Sequence, residues 1–204
     1  MTAFLGNLRS VVIAGFVLAL LVFLLYLKIQ GFDGATFWPF LVRWLHVISG
    51  VMWIGLLWYF NFVSTPTTPK IPDELRPALG RYITPAALFW FRWAAMSTIV
   101  FGLILAWQNG YIAQALTIDS IEGFANPRPI LIGIGMWLGI IMWFNVWFII
   151  WPNQQKALNI AGAYPDLGKE AKAAAAKTGG QFSRINTLLS IPMLFCMVGA
   201  QNIV

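Results

Sequence analysis

Chemistry in this chain has to begin with three side chains: Arg43, His46 and Arg92 each interrupt a long apolar run. An ionisable group held at that depth costs about 2.5–3.5 kcal/mol or more, so its presence points to a site. His46 is the only histidine. Gly50 follows it by about one helical turn and Trp53 by about two, so the three share a helix face. Neutral imidazole is a good axial ligand for haem iron. A glycine one turn away lets a flat macrocycle approach, so His46, Arg43, Gly50 and Trp53 form a candidate site for haem b or a quinone, with His46 as iron ligand. The same pattern also suits a histidine that hydrogen-bonds a neighbouring helix. A bis-histidine haem is excluded by count, leaving Met136, Met197, a lysine, water or another subunit as second ligand; a methionine in an apolar helix is ordinarily packing. Arg43, one turn before His46, would pair with a propionate or snorkel to head groups.

Arg92 belongs to a second level. Asn61 and Asn145 should reach the same depth from neighbouring helices, giving an inner polar cluster that either fixes packing or lines a quinone or anion pocket. Other signatures are missing. The sequence has no Ser/His/Asp set, phosphate-cradling glycine loop or paired intramembrane carboxylate, which argues against a self-contained enzyme. Its one cysteine, Cys196, excludes an intrachain disulfide and a Cys-x-x-Cys-His haem attachment.

The elements that must position these residues are membrane helices. Of 204 residues 59% are hydrophobic and 10% charged, against about 25% charged in a soluble domain, and mean hydropathy is +0.75. The expected fold is an all-α integral membrane protein: a bundle of about five transmembrane helices forming a single domain over residues 1–204. The spans fall near 11–27, 40–63, 86–107, 130–151 and 185–204, each close to the ~20 residues that cross a bilayer. The first reads as a retained signal anchor, without a small-x-small cleavage site. Pro39, Pro85 and Pro129 are expected just before three helices, Pro152 at the end of the fourth, and Pro192 as a kink in the fifth. Residues 64–85 and 153–184 read as the substantial loops, the latter with a short surface helix ended by Gly179-Gly180. Gly133, Gly135 and Gly139 read as close helix packing.

Charge sets the expected orientation. Leaving out Arg43 and Arg92, which lie within the spans, and with the N-terminus inside, Arg9, Lys70, Arg76, Arg81, Lys156, Lys169, Lys172, Lys177 and Arg184 are cytoplasmic, and only Lys28 and Arg128 are opposite. That bias places the N-terminus in the cytoplasm and the C-terminus outside it. The net charge of +6 thus serves topology and anionic lipid rather than nucleic acid.

Four blocks carry a family resemblance. They are Trp44-Leu45-His46-Val47-Ile48-Ser49-Gly50-Val51-Met52-Trp53, continuing to Val63; Trp90-Phe91-Arg92-Trp93-Ala94-Ala95-Met96; Asn145-Val146-Trp147-Phe148-Ile149-Ile150-Trp151-Pro152-Asn153-Gln154; and Ser183-Arg184-Ile185-Asn186-Thr187-Leu188-Leu189-Ser190-Ile191-Pro192-Met193-Leu194-Phe195. In this order they resemble the N-terminal membrane domain of bacterial membrane urate oxidase (urate hydroxylase). The resemblance implies a bacterial inner (cytoplasmic) membrane, multi-pass location and urate oxidation with electrons passing to a cytochrome c. It also implies further helices and a C-terminal cytochrome c that are not in this sequence, hence a short form. Where the family's fifth helix ends in a Ser/Asn-His pair, Gln201 and Asn202 stand here. The expected function is a redox, electron-transfer membrane subunit working with a separate cytochrome c or dehydrogenase. The alternative is a non-catalytic accessory or scaffold subunit of a larger respiratory or oxidoreductase complex, its partners being lipids and other membrane subunits.

Overall fold

A computed structural model describes residues 2–203, so the last position of the fifth expected span, Val204, lies outside the described residues. Five helices are long and apolar enough to cross a membrane: α1 (Leu8–Gln30), α2 (Gly34–Lys70), α3 (Arg76–Gln108), α5 (Pro127–Leu158) and α6 (Lys169–Asn202). A short helix, α4 (Ile112–Leu116), lies between α3 and α5, and no strand occurs among the described residues. The first four expected spans fall within α1, α2, α3 and α5, and the fifth lies in α6 as far as Asn202; a multi-pass membrane protein follows from the length and hydropathy of the five helices.

Residues 1–40 and 41–204 form two compact units. In the first, α1 starts on an Asn7 cap whose side chain accepts the Ser10 N–H, and none of its residues is buried. Phe23 stacks on Phe37 at 4.8 Å between ring centroids. Asp33 caps the start of α2, accepting the Ala35 N–H and the Thr36 hydroxyl. Those bonds, the Thr36 hydroxyl first, hold its carboxyl below the usual value.

In the second unit, one apolar core joins Trp53, Ile54 and Leu57 of α2 to Leu88 and Phe91 of α3, Met142 and Val146 of α5 and Met193 of α6. A smaller one gathers Ala106, Ala115, Ile132, Met136 and Ala200. Small residues let the backbones close up. A Cβ on Gly133 would collide with the Ala115 carbonyl, and one on Gly135 would lie 3.0 Å from the Cys196 Cβ.

The two long loops expected from the sequence are mostly helix. α2 continues to Lys70, and α3 begins at Arg76. Likewise α5 continues to Leu158, and α6 is unbroken from Lys169 through Gly179 and Gly180. A glycine inside a helix costs about 1 kcal/mol. Here Gly179 is buried against Asn153 and Gln154, where an added Cβ would lie 3.2 Å from the Gln154 amide nitrogen, and that close packing offsets the propensity. Pro39 and Pro85 likewise sit inside helices rather than before them, and α5 runs through Pro152.

Pro66, Pro85 and Pro152 are accommodated by a local change of hydrogen bonding. Three π-helical stretches, Tyr59–Ser64, Leu79–Ile83 and Asn145–Ile150, end just short of Pro66, Pro85 and Pro152. In each case the residue before the proline bonds five residues back: Thr65 to the Phe60 carbonyl, Thr84 to Leu79 and Trp151 to Val146. A proline supplies no N–H and its ring crowds the carbonyl four residues earlier. Widening the turn before it relieves that clash without ending the helix.

Candidate functional site

His46 is half-buried and reaches from α2 to α3, where Nδ1 lies 2.8 Å from the Thr98 carbonyl. A carbonyl only accepts, so Nδ1 carries the proton and Nε2 keeps its lone pair. The imidazole lies over Gly102, where an added Cβ would sit 3.0 Å from Cε1. One turn along, Gly50 faces the Thr98 methyl at 3.9 Å from an ideal Cβ. Trp53 is 1% exposed within the core, with its indole N–H unpartnered. The face shared by His46, Gly50 and Trp53 is therefore packed against α3. Met136 packs in the smaller core and Met197 borders both cores.

Arg43 is exposed and lines a different feature. A cavity of about 270 Å³ is bordered by Arg43, Asn109, Tyr111, Gln114, Arg128 and Gln201, with Pro129 and Ile132 behind them. It draws on α2 at Arg43, the end of α3, α4 with the residue before it, the start of α5 and the end of α6. Gln201 accepts from Arg128 at 3.1 Å. Burial pushes the Tyr111 phenol up, and the charges of Arg43 and Arg128 act in the opposite direction.

At the other end of the helices the expected Arg92, Asn61 and Asn145 cluster takes the form of three separate arrangements. The Arg92 guanidinium carbon lies 3.9 Å from the Trp151 ring centroid, 5.0 Å from that of Trp147 and 5.8 Å from that of Trp93. Aromatic faces attract a cation at such distances, while its Nε finds no hydrogen-bond partner. Asn145 instead donates to Asn186 Oδ1 at 2.8 Å, and Asn186 donates to the Met142 carbonyl at 2.9 Å. Asn61 donates to the Leu57 carbonyl and to Ser183 Oγ. Asn61 and Ser183 border a second cavity of about 460 Å³, whose wall also includes Thr84, Gln154, Lys177 and Arg184.

Sequence reasoning missed the tryptophan cage, although Trp147 and Trp151, one turn apart, were the available signal. It also missed Asn186, whose single amide in an apolar run was visible, and Tyr111 and Gln114, which no apolar periodicity marks.

Residues 115–202 match the urate oxidase N-terminal family. The urate oxidase N-terminal match includes α5, α6, the Asn145–Asn186 pair, two of the three tryptophans around Arg92, and Arg128 with Gln201. The third and fourth blocks of the resemblance lie inside it; His46, Arg43, Asn61 and Arg92 precede it. No curated protein and no solved structure matches the chain.

Proposed function

We propose that the chain is a membrane subunit of a urate-oxidase-type redox system, holding the helical framework while a partner carries the electron-transfer cofactor. The observation that carries this reading is the match over residues 115–202. The packed face around His46 supports placing the cofactor elsewhere: Nδ1 is used on Thr98, and Gly102 lies beneath the ring. In this reading His46 is an interhelical hydrogen bond, electrons leave through a separate cytochrome c or dehydrogenase, and other membrane subunits and lipid cover the exposed apolar faces. The charge bias puts the N-terminus in the cytoplasm and the Arg43–Arg128 end outside.

One observation favours a second reading, in which the chain itself holds haem b or a quinone near His46. The Thr98 bond fixes the tautomer that leaves Nε2 unprotonated, the form that ligates iron, and the half-buried ring gives a partner helix a face to complete. With haem b bound, the iron would supply one-electron transfer. Visible spectra of the purified chain, oxidised and reduced, separate the two. The first reading expects no Soret band and no extractable quinone. A Soret band lost in His46→Gln, with the protein still folded, would overturn it in favour of the second.

A further inference from the structure

Two arginines meet at the Gln201 end of the bundle with no carboxylate between them. Among the described residues the one ion pair joins Arg76 to Asp73, far along the chain from both. Neither nearby acid lines the cavity. The Asp119 side chain is fully buried and accepts the Asn126 N–H at 2.8 Å, and Glu122 accepts from Gln114 at 3.3 Å. The lining itself holds two guanidiniums and no carboxylate, and Tyr111 feels both guanidiniums.

The wall is also held in place. α4, which carries Gln114, is pinned to α5 by a 3.0 Å bond from the Trp137 indole to the Leu116 carbonyl and by the contact of the Ala115 carbonyl with Gly133. Tyr111 is tied back to α3 through its N–H on the Ala106 carbonyl. Beyond α4 the chain turns through Ile118, Asp119 and Phe124, all at positive φ. A β-branched residue such as Ile118 rarely adopts that conformation, and the Asp119–Gln114 and Phe124–Asp119 backbone bonds, 2.8 and 2.9 Å, hold it there. Donors fixed before a ligand arrives lose little entropy when it binds.

We propose that this cavity binds an oxyanion, a phosphate or carboxylate group, clamped by Arg43 and Arg128 and hydrogen-bonded by the Tyr111 hydroxyl and the Asn109 and Gln114 amides. Guanidinium forks match oxyanion geometry and give charge-assisted bonds about twice as strong as neutral ones. About 270 Å³ accommodates such a group together with a small organic remainder. The end of a membrane helix bundle meets two sources of this chemistry, a free small anion and an anionic lipid head group. The inference goes beyond the redox reading and does not depend on it.

The test uses the whole chain purified in neutral detergent. Inorganic phosphate is titrated by calorimetry at constant ionic strength, and native mass spectrometry then compares retention of phosphatidylglycerol and phosphatidylcholine. Saturable phosphate binding, weakened at least about tenfold in Arg43→Gln and in Arg128→Gln but unchanged in Arg81→Gln, supports the site with a free anion. Selective retention of phosphatidylglycerol with the same arginine dependence supports it with a head group. Tyr111→Phe, which removes only a hydroxyl, should weaken either ligand without lowering the melting temperature, so a folding defect in the arginine variants cannot mimic the result. Absence of both ligands, or binding indifferent to Arg43 and Arg128, overturns the proposal.

Discussion

The Asn145–Asn186 pair offers the sharpest quantitative test of how the bundle is held. Asn186 is fully buried and Asn145 is 5% exposed, so neither amide has water to fall back on. Asn186 both accepts from Asn145 and donates to the Met142 carbonyl. Asn186→Ala therefore strands one buried donor, frees one carbonyl and leaves a small void. A stranded buried group costs about 1–3 kcal/mol, and a methyl-sized void adds about 1 kcal/mol. Asn145→Ala costs less, because Asn186 keeps its bond to Met142. The expected order is Asn186→Ala worse than Asn145→Ala, with the former costing about 2 kcal/mol or more. The coupling between the two should be smaller, about 0.6–1.7 kcal/mol, because an unfolded chain in a membrane mimetic still finds hydrogen-bond partners. Equilibrium unfolding by dodecyl sulfate titration in bicelles, run as a double-mutant cycle, measures both quantities. A coupling indistinguishable from zero, or Asn145→Ala as the costlier single change, would refute the reasoning.

Gly133→Ala should destabilise the same unfolding transition by about 1–3 kcal/mol, since the new methyl meets the backbone carbonyl of Ala115 and overpacking against a backbone is not relieved by a rotamer change. Gly139→Ala, which meets only the Ile99 methyl at 3.8 Å, should lie within about 1 kcal/mol of wild type or above it, helix propensity favouring alanine. The Tyr111 phenol, raised by burial, should titrate above its ordinary value of 10.0 in the folded protein. The native state then binds the proton more tightly than the unfolded one, so ionising this phenol costs stability: the fold keeps its full stability below about pH 10 and loses some of it as the pH rises through the folded value. Difference absorbance of phenolate against Tyr111→Phe reads the titration, and Arg128→Gln should move it higher still. Pro152→Ala restores an N–H to Phe148 and should let the π turn relax to an α turn, rotating the part of α5 before Pro152 by about 100° relative to the part after it; disulfide cross-linking of cysteine pairs between α5 and α6 would detect it.

Long uncharged runs between charged segments made the five spans legible, because nothing but lipid or partner helices can cover so much apolar surface. Beyond the runs the sequence was harder to read. The Thr/Pro-rich stretch after Ser64 and the Lys/Ala-rich stretch after Gly168 carry composition that suits loops or isolated surface helices, yet both extend helices already nucleated in the apolar core, where each added residue gains a hydrogen bond without a new nucleation cost. At the site, position along the helix was legible and azimuth was not. Arg43 and His46 are three residues apart on α2, close enough to suggest one ligand. Arg43 instead opens onto Tyr111 and Arg128, while His46 packs on Gly102. Gln201, which in the resemblance marked only a departure from the family pattern, is the residue that Arg128 holds.

Three prolines read from the sequence as loop residues or as helix starts and stops are instead points where the helices widen, and the consequence reaches the second cavity. Phe60, Asn61 and Ser64 come from the first π stretch, Ile150 from the third, and Thr84 directly follows the second. A π turn fits an extra residue into the turn, so side chains before and after it leave the α-helical register and neighbouring helices cannot mesh ridge into groove there. Three such turns at one end of a bundle leave space that close packing would otherwise fill, lined by Asn61, Ser64, Thr84 and Gln154 together with Phe60, Leu88 and Ile150. The opposite end, where Gly133, Gly135 and Gly199 bring the backbones together and no π turn occurs among the described residues, gains its smaller cavity by a different route, from the α4 segment laid across the helix ends.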